Sequence, residues 1–153
     1  MQTLAGPSAE DCQTTGARQV HATGQPVEAD RLLQAPFLAE LDERHVVALA
    51  QCSSTLRHPR GTRVLTRGDH LDGLFVVLSG KLKLFMLSCN GDERVLRVLQ
   101  PGDSFGEAIM FNRIPSPVFV DTLMHSELAF LPSEAITDTL QRDPNFVLEM
   151  LRN

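Results

Sequence analysis

The sequence lacks tryptophan and tyrosine, and its three cysteines, Cys12, Cys52 and Cys89, lie far apart. An odd number of cysteines at such spacing forms neither a disulfide framework nor a CxxC metal site, so we expect free thiols in a reducing compartment. No run of 18 apolar residues is present that could cross a membrane. The first residues also lack the basic start and apolar stretch of a secretory signal. These absences predict a cytoplasmic protein with no membrane partner.

Positive charge is also scarce, with 14 lysines and arginines against 19 acidic residues and a net charge of −5. A protein that binds nucleic acid needs a basic face that neutralises phosphates. No basic cluster occurs here, so we expect DNA to be bound only through a domain outside this chain. The GxSxG, HExxH and P-loop motifs of common enzymes are missing as well, and the sequence predicts a protein that is not an enzyme. Its 153 residues are enough for one ordinary core.

The chain changes texture along its length. Residues 1–26 are rich in small and polar residues and contain few large apolar ones, which is typical of a disordered tail. Residues 27–143 carry a helix that begins after Asp42, a good N-cap residue, and then short alternating segments separated by glycine turns. Such a pattern predicts a mainly β fold, an antiparallel sandwich or barrel with flanking helices. The expected strands lie near residues 56–58, 63–66, 74–79, 81–87, 94–99, 118–122 and 127–131.

Helical patterns return towards the C-terminal end. Ser133 is a candidate cap for a helix that runs to about Arg142. Residues 144–153 then carry an apolar stripe of barely two turns, which is too short to be stable alone. We interpret this stripe as the start of a truncated C-terminal helix for dimerisation, which packs on the barrel or continues in a longer protein.

The segment PGDSFGEAIMF, residues 101–111, joins a strand to a short helix. Its stretch Ser104-Phe105-Gly106-Glu107 matches the S-x-x-E capping box, in which the serine side chain accepts from the N–H of the glutamate and the glutamate reaches back. The N–H groups at such a helix start, beside a glycine, can also hold a phosphate. The pattern therefore leaves two interpretations open, a structural corner and an anion site.

Several motifs in order, Leu74 to Leu84, Asn90-Gly91 and Leu99 to Glu107, resemble the sensor domain of the CRP/FNR family of bacterial transcription regulators. The resemblance covers residues 32–153 and implies a double-stranded β-helix, or jelly roll, of the cyclic-nucleotide-binding-domain type. It further implies a ligand-sensing effector domain, a homodimer in the full-length protein and a DNA-binding domain absent from this chain. Residues 105–111 look closest to the subgroup that senses nitrogen oxides.

The same resemblance implies a site for a small-molecule effector. In relatives that bind cyclic AMP, a glutamate at the position of Glu107 holds the ribose 2′-hydroxyl, the helix start holds the cyclic phosphate, and a later arginine pairs with that phosphate. This chain has Pro115-Ser116-Pro117 where the arginine is expected, and Arg113 falls too early. Loss of such a charge-assisted bond weakens binding by about tenfold or more. The candidate ligand-binding residues are Gly102, Phe105, Gly106, Glu107, Ala108 and Ser116.

The identity of the effector stays open between a cyclic nucleotide and haem, which the nitrogen-oxide subgroup suggests. A haem ligand would come from Cys52 or a histidine, and the FNR iron–sulfur cluster is not expected because the N-terminal region holds only Cys12. Two other functions are considered, a stand-alone cyclic-nucleotide-binding-like module and a cupin-like metal enzyme. The enzyme would need histidines that converge inside the barrel, whereas these are spread over a helix, turns and strands. The histidines are His21, His45, His58, His70 and His125, the last expected on an apolar strand.

Overall fold

The chain was analysed as a computed structural model that describes residues 19–20 and 24–152. The strands are β1 (Gln19–Val20), β2 (Gln25–Pro26), β3 (Ser54–His58), β4 (Arg63–Leu65), β5 (His70–Leu71), β6 (Gly73–Ser79), β7 (Leu82–Leu87), β8 (Glu93–Leu99), β9 (Ser104–Phe105), β10 (Phe119–Thr122) and β11 (Ser126–Pro132). The helices are α1 (Ala29–Leu32), α2 (Pro36–Ala39), α3 (Glu43–Cys52), α4 (Glu107–Asn112), α5 (Ser133–Arg142) and α6 (Asn145–Arg152). None of the helices in these ranges is long and apolar enough to cross a membrane.

The strands form two main antiparallel sheets. One has the order β2-β3-β11-β6-β9 and the other the order β4-β10-β7-β8, so that strands distant in sequence become neighbours. A separate parallel pair joins β1 to β5. The fold is mainly β with flanking helices and of the jelly-roll type, and the predicted fold class is therefore confirmed.

Strand β6 belongs to both layers of the core, because its two faces pack against different clusters of side chains. Alternate side chains of a strand point to opposite faces. Leu74 and Val76 therefore face a cluster that also holds the flanking helices, while Phe75 and Val77 face the second sheet. Both faces are buried, and β6 accordingly reads as a continuous apolar run, GLFVVLS, instead of an alternating one. The core thus consists of a helix–sheet layer and a sheet–sheet layer joined by this strand.

The N-terminal and C-terminal helices meet on the helix side of the core. Helix α3 begins as predicted, because the Asp42 carboxylate accepts a hydrogen bond from the N–H of Arg44 at 3.3 Å. The rings of Phe37 in α2 and Phe146 in α6 are stacked, with centroids 6.0 Å apart. Phe146 is fully buried, whereas Leu148 and Leu151 of the same helix are 53% and 78% exposed. Helix α6 is therefore anchored at its start and carries uncovered apolar side chains further along.

The structure differs from the sequence expectations at several boundaries. Strand β1 pairs with β5 and strand β2 pairs with β3, and both lie within residues 1–26, where a tail was predicted. Residues 1–18 and 21–23 of that tail lie outside the described residues. Helix α5 has Pro132 at its N-cap with no side-chain cap bond, so Ser133 is its first residue and not its cap. The division of the chain at residues 27 and 144 stays a prediction.

Candidate functional site

The corner that precedes α4 depends on Gly106. This residue has φ +100° and occupies the N-cap position of the helix. A Cβ placed on it would lie 2.7 Å from Cδ1 of Leu71, which is closer than real Cβ contacts allow. The left-handed backbone therefore favours glycine here, and an added Cβ would also force the Leu71 side chain to move. The chain can turn sharply from β9 into α4 without a side-chain cap.

The predicted capping box is wrong in its details. Ser104 is not an N-cap but the first residue of β9, where it pairs with Val76 of β6. Its hydroxyl donates a hydrogen bond to the carboxylate of Glu107. The pairing with β6 holds Ser104 in extended conformation, and the helix begins later, at Glu107. The result is an acid fixed in the first turn of α4, where the helix dipole favours negative charge.

An apolar cavity of about 210 Å³ lies beside this corner. We call it the inner cavity. Strands β4 and β7 contribute Leu65 and Leu84, the corner and α4 contribute the next part of the wall, and the segment that follows α4 closes it. Its lining consists of Leu65, Leu84, Phe105, Gly106, Ala108, Ile109, Ile114, Pro117 and Val118. No charged side chain from the described residues lines it.

The predicted site residues separate into distinct groups in the structure. Phe105, Gly106 and Ala108 line the inner cavity, as a ligand site at this corner would require. Glu107 lines a neighbouring groove instead, described below. Gly102 has φ +95°, donates its N–H to the carbonyl of Val77 at 2.9 Å, and forms the turn before β9. Its part in the fold is the turn itself, and ligand binding by these residues stays a prediction.

Ser116 occupies the place where the family arginine is expected. Its side chain is 2% exposed, and its hydroxyl donates to the carbonyl of Val118 at 2.8 Å. Its N–H donates to the carbonyl of Asp69 at 2.8 Å. The serine therefore supports a local turn, and its hydroxyl is already used. The inner cavity therefore receives no cation from this position.

The histidines do not converge on the inner cavity. His45 lies in α3, His70 in β5, and His125 is exposed in the turn before β11, not on a strand as expected. His58 lies in β3, where burial lowers the pKa of its imidazole. His21 lies outside the described residues. No histidine or cysteine in the described part of the chain lines the cavity, and its volume is below the usual 300–1,000 Å³ of cofactor sites, so the residues present do not fit haem there.

The metal cluster of the cupin-like alternative was also sought. Within residues 24–152, no group of three histidine, cysteine, aspartate or glutamate side chains could hold a metal ion. Cys52 and Cys89 are exposed as free thiols, which confirms the prediction for these two residues.

The opposite face of α4 borders an apolar groove of about 440 Å³, which we call the α6 groove. Helix α4 supplies Ala108 and Phe111, and α6 supplies Val147 and Met150. The full lining is Glu107, Ala108, Phe111, Asn112, Leu140, Val147, Met150 and Leu151. Ala108 thus belongs to both the inner cavity and this groove.

Six of the nine residues that line the inner cavity were not among the predicted site residues. Leu65 and Leu84 were available from the period-two pattern, because Leu82 and Leu84 alternate with Lys81 and Lys83 and so share an inward face. Pro117 and Val118 could not be placed, because their position depends on hydrogen bonds between the loop after α4 and the turn at Asp69.

Comparison with known proteins points to the same family that the sequence motifs resemble. Residues 55–143, more than half of the chain, match the family model described as "Cyclic nucleotide-binding domain". The "CRP-like cAMP-activated global transcriptional regulator" of Mycobacterium tuberculosis is 25% identical over 121 residues, which are 79% of this chain and 54% of that protein. The "Fumarate and nitrate reduction regulatory protein" of Salmonella typhimurium is 30% identical over 94 residues, 61% of this chain and 37% of that protein.

Among solved structures, the sensor domain of the transcriptional regulator DNR from Pseudomonas aeruginosa superposes with a TM-score of 0.73. It covers 80% of this chain and 83% of its own, at 22% identity, so this match supports the fold alone. The chain spans about half or less of the length of the two regulators. The chain therefore belongs to the cyclic nucleotide-binding domain family, and its resemblance to CRP/FNR sensor domains is confirmed.

Proposed function

We propose that this chain is the ligand-sensing effector domain of a CRP/FNR-type bacterial transcription regulator, acting in the cytoplasm and without enzymatic activity. One observation carries the proposal: Ala108 of α4 lines the inner cavity and the α6 groove at once. A ligand in the cavity would press on the same short helix that borders the α6 groove. The site that would receive the signal and the groove lined by the element that would transmit it therefore share one residue.

The transmission would be a shift between two packings of α6. Helix α4 has only six residues, and Ile109 and Met110 are its buried side chains. A short helix held by few contacts can move at modest cost in free energy. A ligand that binds one position of α4 better than another shifts the populations of both, and with them the packing of α6.

The lining of the inner cavity selects the chemistry of the effector. Its side chains are apolar, and the position of the family arginine is a serine whose hydroxyl is already bonded. An unpaired phosphate would lose its hydration there without a compensating ion pair. We therefore expect a small, uncharged, largely apolar effector, and weak binding of cyclic nucleotides.

Xenon tests the coupling, because it enters dry apolar cavities without any specific polar contact. We expect xenon pressure to shift the amide NMR signals of α4 and, beyond them, those of Val147 and Met150 in α6. The variant Leu84→Phe, which fills the cavity, should lose both sets of shifts. Shifts confined to the cavity wall would contradict the proposed transmission to α6.

Cyclic AMP tests the selection against phosphate. The unmodified chain should show no binding at micromolar concentration by calorimetry, whereas Pro117→Arg would bring a guanidinium to the cavity wall. A charge-assisted bond should then raise the affinity for cyclic AMP about tenfold or more. Pro115→Arg, at an exposed position outside the lining, is the matched control. Micromolar binding by the unmodified chain would show that the cassette works without the arginine.

The output would require a partner for α6. Val147, Leu148 and Leu151 are 42%, 53% and 78% exposed, and exposed apolar groups of this kind are typical of an interface. We expect the full-length protein to be a homodimer through this helix, with DNA bound by its own separate domain. Sedimentation of the full-length protein should show a dimer, and Leu151→Glu should shift it towards the monomer. A dimer unaffected by this change would place the interface elsewhere.

A further inference from the structure

The sheet edge formed by β8 is open along almost its whole length. The two main sheets end in β2, β9, β4 and β8. The first three have two, two and three residues, whereas β8 has seven. Short edge strands protect a protein against pairing with another chain, because they offer few unpaired backbone groups. Within the described residues, β8 pairs with β7 on one side and with no strand on the other. It therefore offers the most backbone groups to a further strand.

Exposed apolar side chains accompany this open backbone. Val95, Leu96 and Val98 are 48%, 51% and 41% exposed. Leu96 also has no partner in β7, because the register shifts at this point and leaves it as a β-bulge. A bulge increases the local twist, so a further strand would pair with only a few residues on either side of it. A long edge with exposed apolar side chains is a template for strand pairing.

The order of charges along β8 fits a second copy of the same strand. Asp92 and Glu93 stand at its start, and Arg97 follows later. When two copies run antiparallel, the acidic start of each lies beside the basic part of the other. With Val95 on the two-fold axis, Glu93 lies opposite Arg97 of the second copy, and the symmetry repeats this pair. Opposite charges directly across two strands stabilise their pairing, whereas like charges destabilise it.

Both charged groups keep bonding capacity for such a pair. Within one chain, Glu93 accepts from Nζ of Lys83 at 2.6 and 2.8 Å. Arg97 donates from Nη2 to the carboxylate of Asp103 at 3.2 Å. A carboxylate can accept, and a guanidinium can donate, more hydrogen bonds than these. The side chains of Glu93 and Arg97 are 40% and 48% exposed, so a second copy can reach them.

We propose that β8 pairs with β8 of a second copy, antiparallel and centred on Val95, so that two four-stranded sheets join into one. Backbone hydrogen bonds, apolar contacts and two Glu93–Arg97 ion pairs hold the two edges together. A contact of a few residues should bury less than about 1,200 Å², which is typical of weak association. The dissociation constant should therefore be on the order of 0.1–1 mM. This surface is separate from α6, so the pairing does not depend on the function proposed above.

Charge exchange between two variants tests the pairing. In Arg97→Glu two pairs of acids would face each other, and in Glu93→Arg two pairs of arginines. Each variant alone should associate at least about tenfold more weakly than the unmodified β8. An equimolar mixture of the two should regain the association, because opposite charges again lie across the strands. Sedimentation equilibrium of the whole chain from about 0.05 to 1 mM measures it, with Leu151→Glu in every sample to disable the α6 surface.

Arg94→Glu is the matched control. Arg94 is also an exposed arginine of β8, but in this register it lies opposite Leu96 of the second copy. The same change of charge should therefore weaken the association less than about threefold. The proposal is overturned if the chain with unmodified β8 stays monomeric at about 1 mM, which would leave the edge to a different partner. It is equally overturned if the mixture associates no better than its components, or if Arg94→Glu weakens association as much as Arg97→Glu.

Discussion

The two cavities beside α4 differ in chemistry although they share a wall. The inner cavity has about 210 Å³ and an apolar lining. A second cavity of about 440 Å³, the outer cavity, shares Ile109 with it and is also lined by His70, Asp72 and Arg113. The difference arises within a single short helix, because successive residues of a helix point about 100° apart. Ala108 lines the inner cavity, Met110 lines the outer cavity, and Ile109 lines both. One family fold can therefore present two unlike sites with a few residues.

Ile109→Ala should have the largest effect on the two cavities, because it removes the side chain that forms their shared wall. Ile109 is 6% exposed and lines both cavities. Deletion of a buried isoleucine side chain typically lowers the free energy of unfolding by about 2–5 kcal/mol, and here the two cavities would merge. Urea denaturation measures the loss. Ile114→Ala, at a position 41% exposed, should cost less than about 1 kcal/mol, and an equal loss in both would show that Ile109 does not form the wall.

Gly106→Ala tests the corner at which α4 begins. The added methyl would meet Leu71, which belongs to the outer cavity, and would be held at a positive φ. We expect the free energy of unfolding to fall by about 2 kcal/mol. Gly91→Ala is a matched control, since Gly91 also has positive φ but nothing lies within 4 Å of the added carbon. The difference between the two variants isolates the contact with Leu71, and identical losses would contradict it.

Acid weakens the ion pairs that join Glu127 of β11 to Arg31 of α1 and Arg57 of β3. Hydrogen bonds from Arg31 at 3.1 Å, and from Arg57 at 2.9 Å, lower the pKa of Glu127 to about 2 from its ordinary 4.5. The folded chain binds this proton less readily than the unfolded chain, so the stabilisation is present above about pH 4.5 and is lost as the pH falls towards 2.

We expect this loss to be about 1 kcal/mol, because Arg57 is 61% exposed and solvent screens the pair. Thermal melting between pH 6 and 3 should show a shallower slope for Glu127→Gln than for the unmodified chain. Glu149→Gln, which removes only an exposed pair with Arg152, should keep the original slope. An unchanged slope in the Glu127 variant would place the acid sensitivity elsewhere.

Arg113→Gly should give the smallest change in the free energy of unfolding, and it affects only the outer cavity. Arg113 is the non-glycine residue with positive φ, at +53°, within the described residues. Glycine at this C-terminal position of α4 should raise the free energy of unfolding by about 0.5–1 kcal/mol. Arg113→Ala keeps the strained backbone and should leave stability nearly unchanged. A melting temperature that rises for glycine and not for alanine assigns the gain to the backbone.

Local rules in the sequence predicted the elements that depend on near neighbours. The alternation of Lys81 to Leu84 identified β7, and the Asp42 cap identified the start of α3, because each signal lies within the element itself. The strands β5 and β9, two residues each, were missed, since they exist only through partners elsewhere in the chain.

The candidate site was predicted only in part, because only some of its contacts lie between near neighbours in the sequence. Phe105, Gly106 and Ala108 sit in one short segment, and all three line the inner cavity. Ser104 was misassigned as a cap because its pairing with Val76 joins two strands that are far apart in the sequence. No local motif shows such a contact. The outer cavity was not foreseen, since Arg113 and Thr137 come to line one cavity only after β10 and β11 have returned the chain to α4.

The stacked pair Phe37 and Phe146 has a mechanical consequence. Helix α6 is held near its start by this contact and further along by Met150, which packs against the same core cluster, while Leu148 and Leu151 are exposed. We expect the helix to tilt about the Phe146 contact. Six residues separate Phe146 from Arg152, a length of about 9 Å along the helix axis. A tilt of about 10° at the pivot would move the far end by about 1.5 Å. A small change at α4 is therefore magnified in proportion to the length of any helix that extends from this anchor.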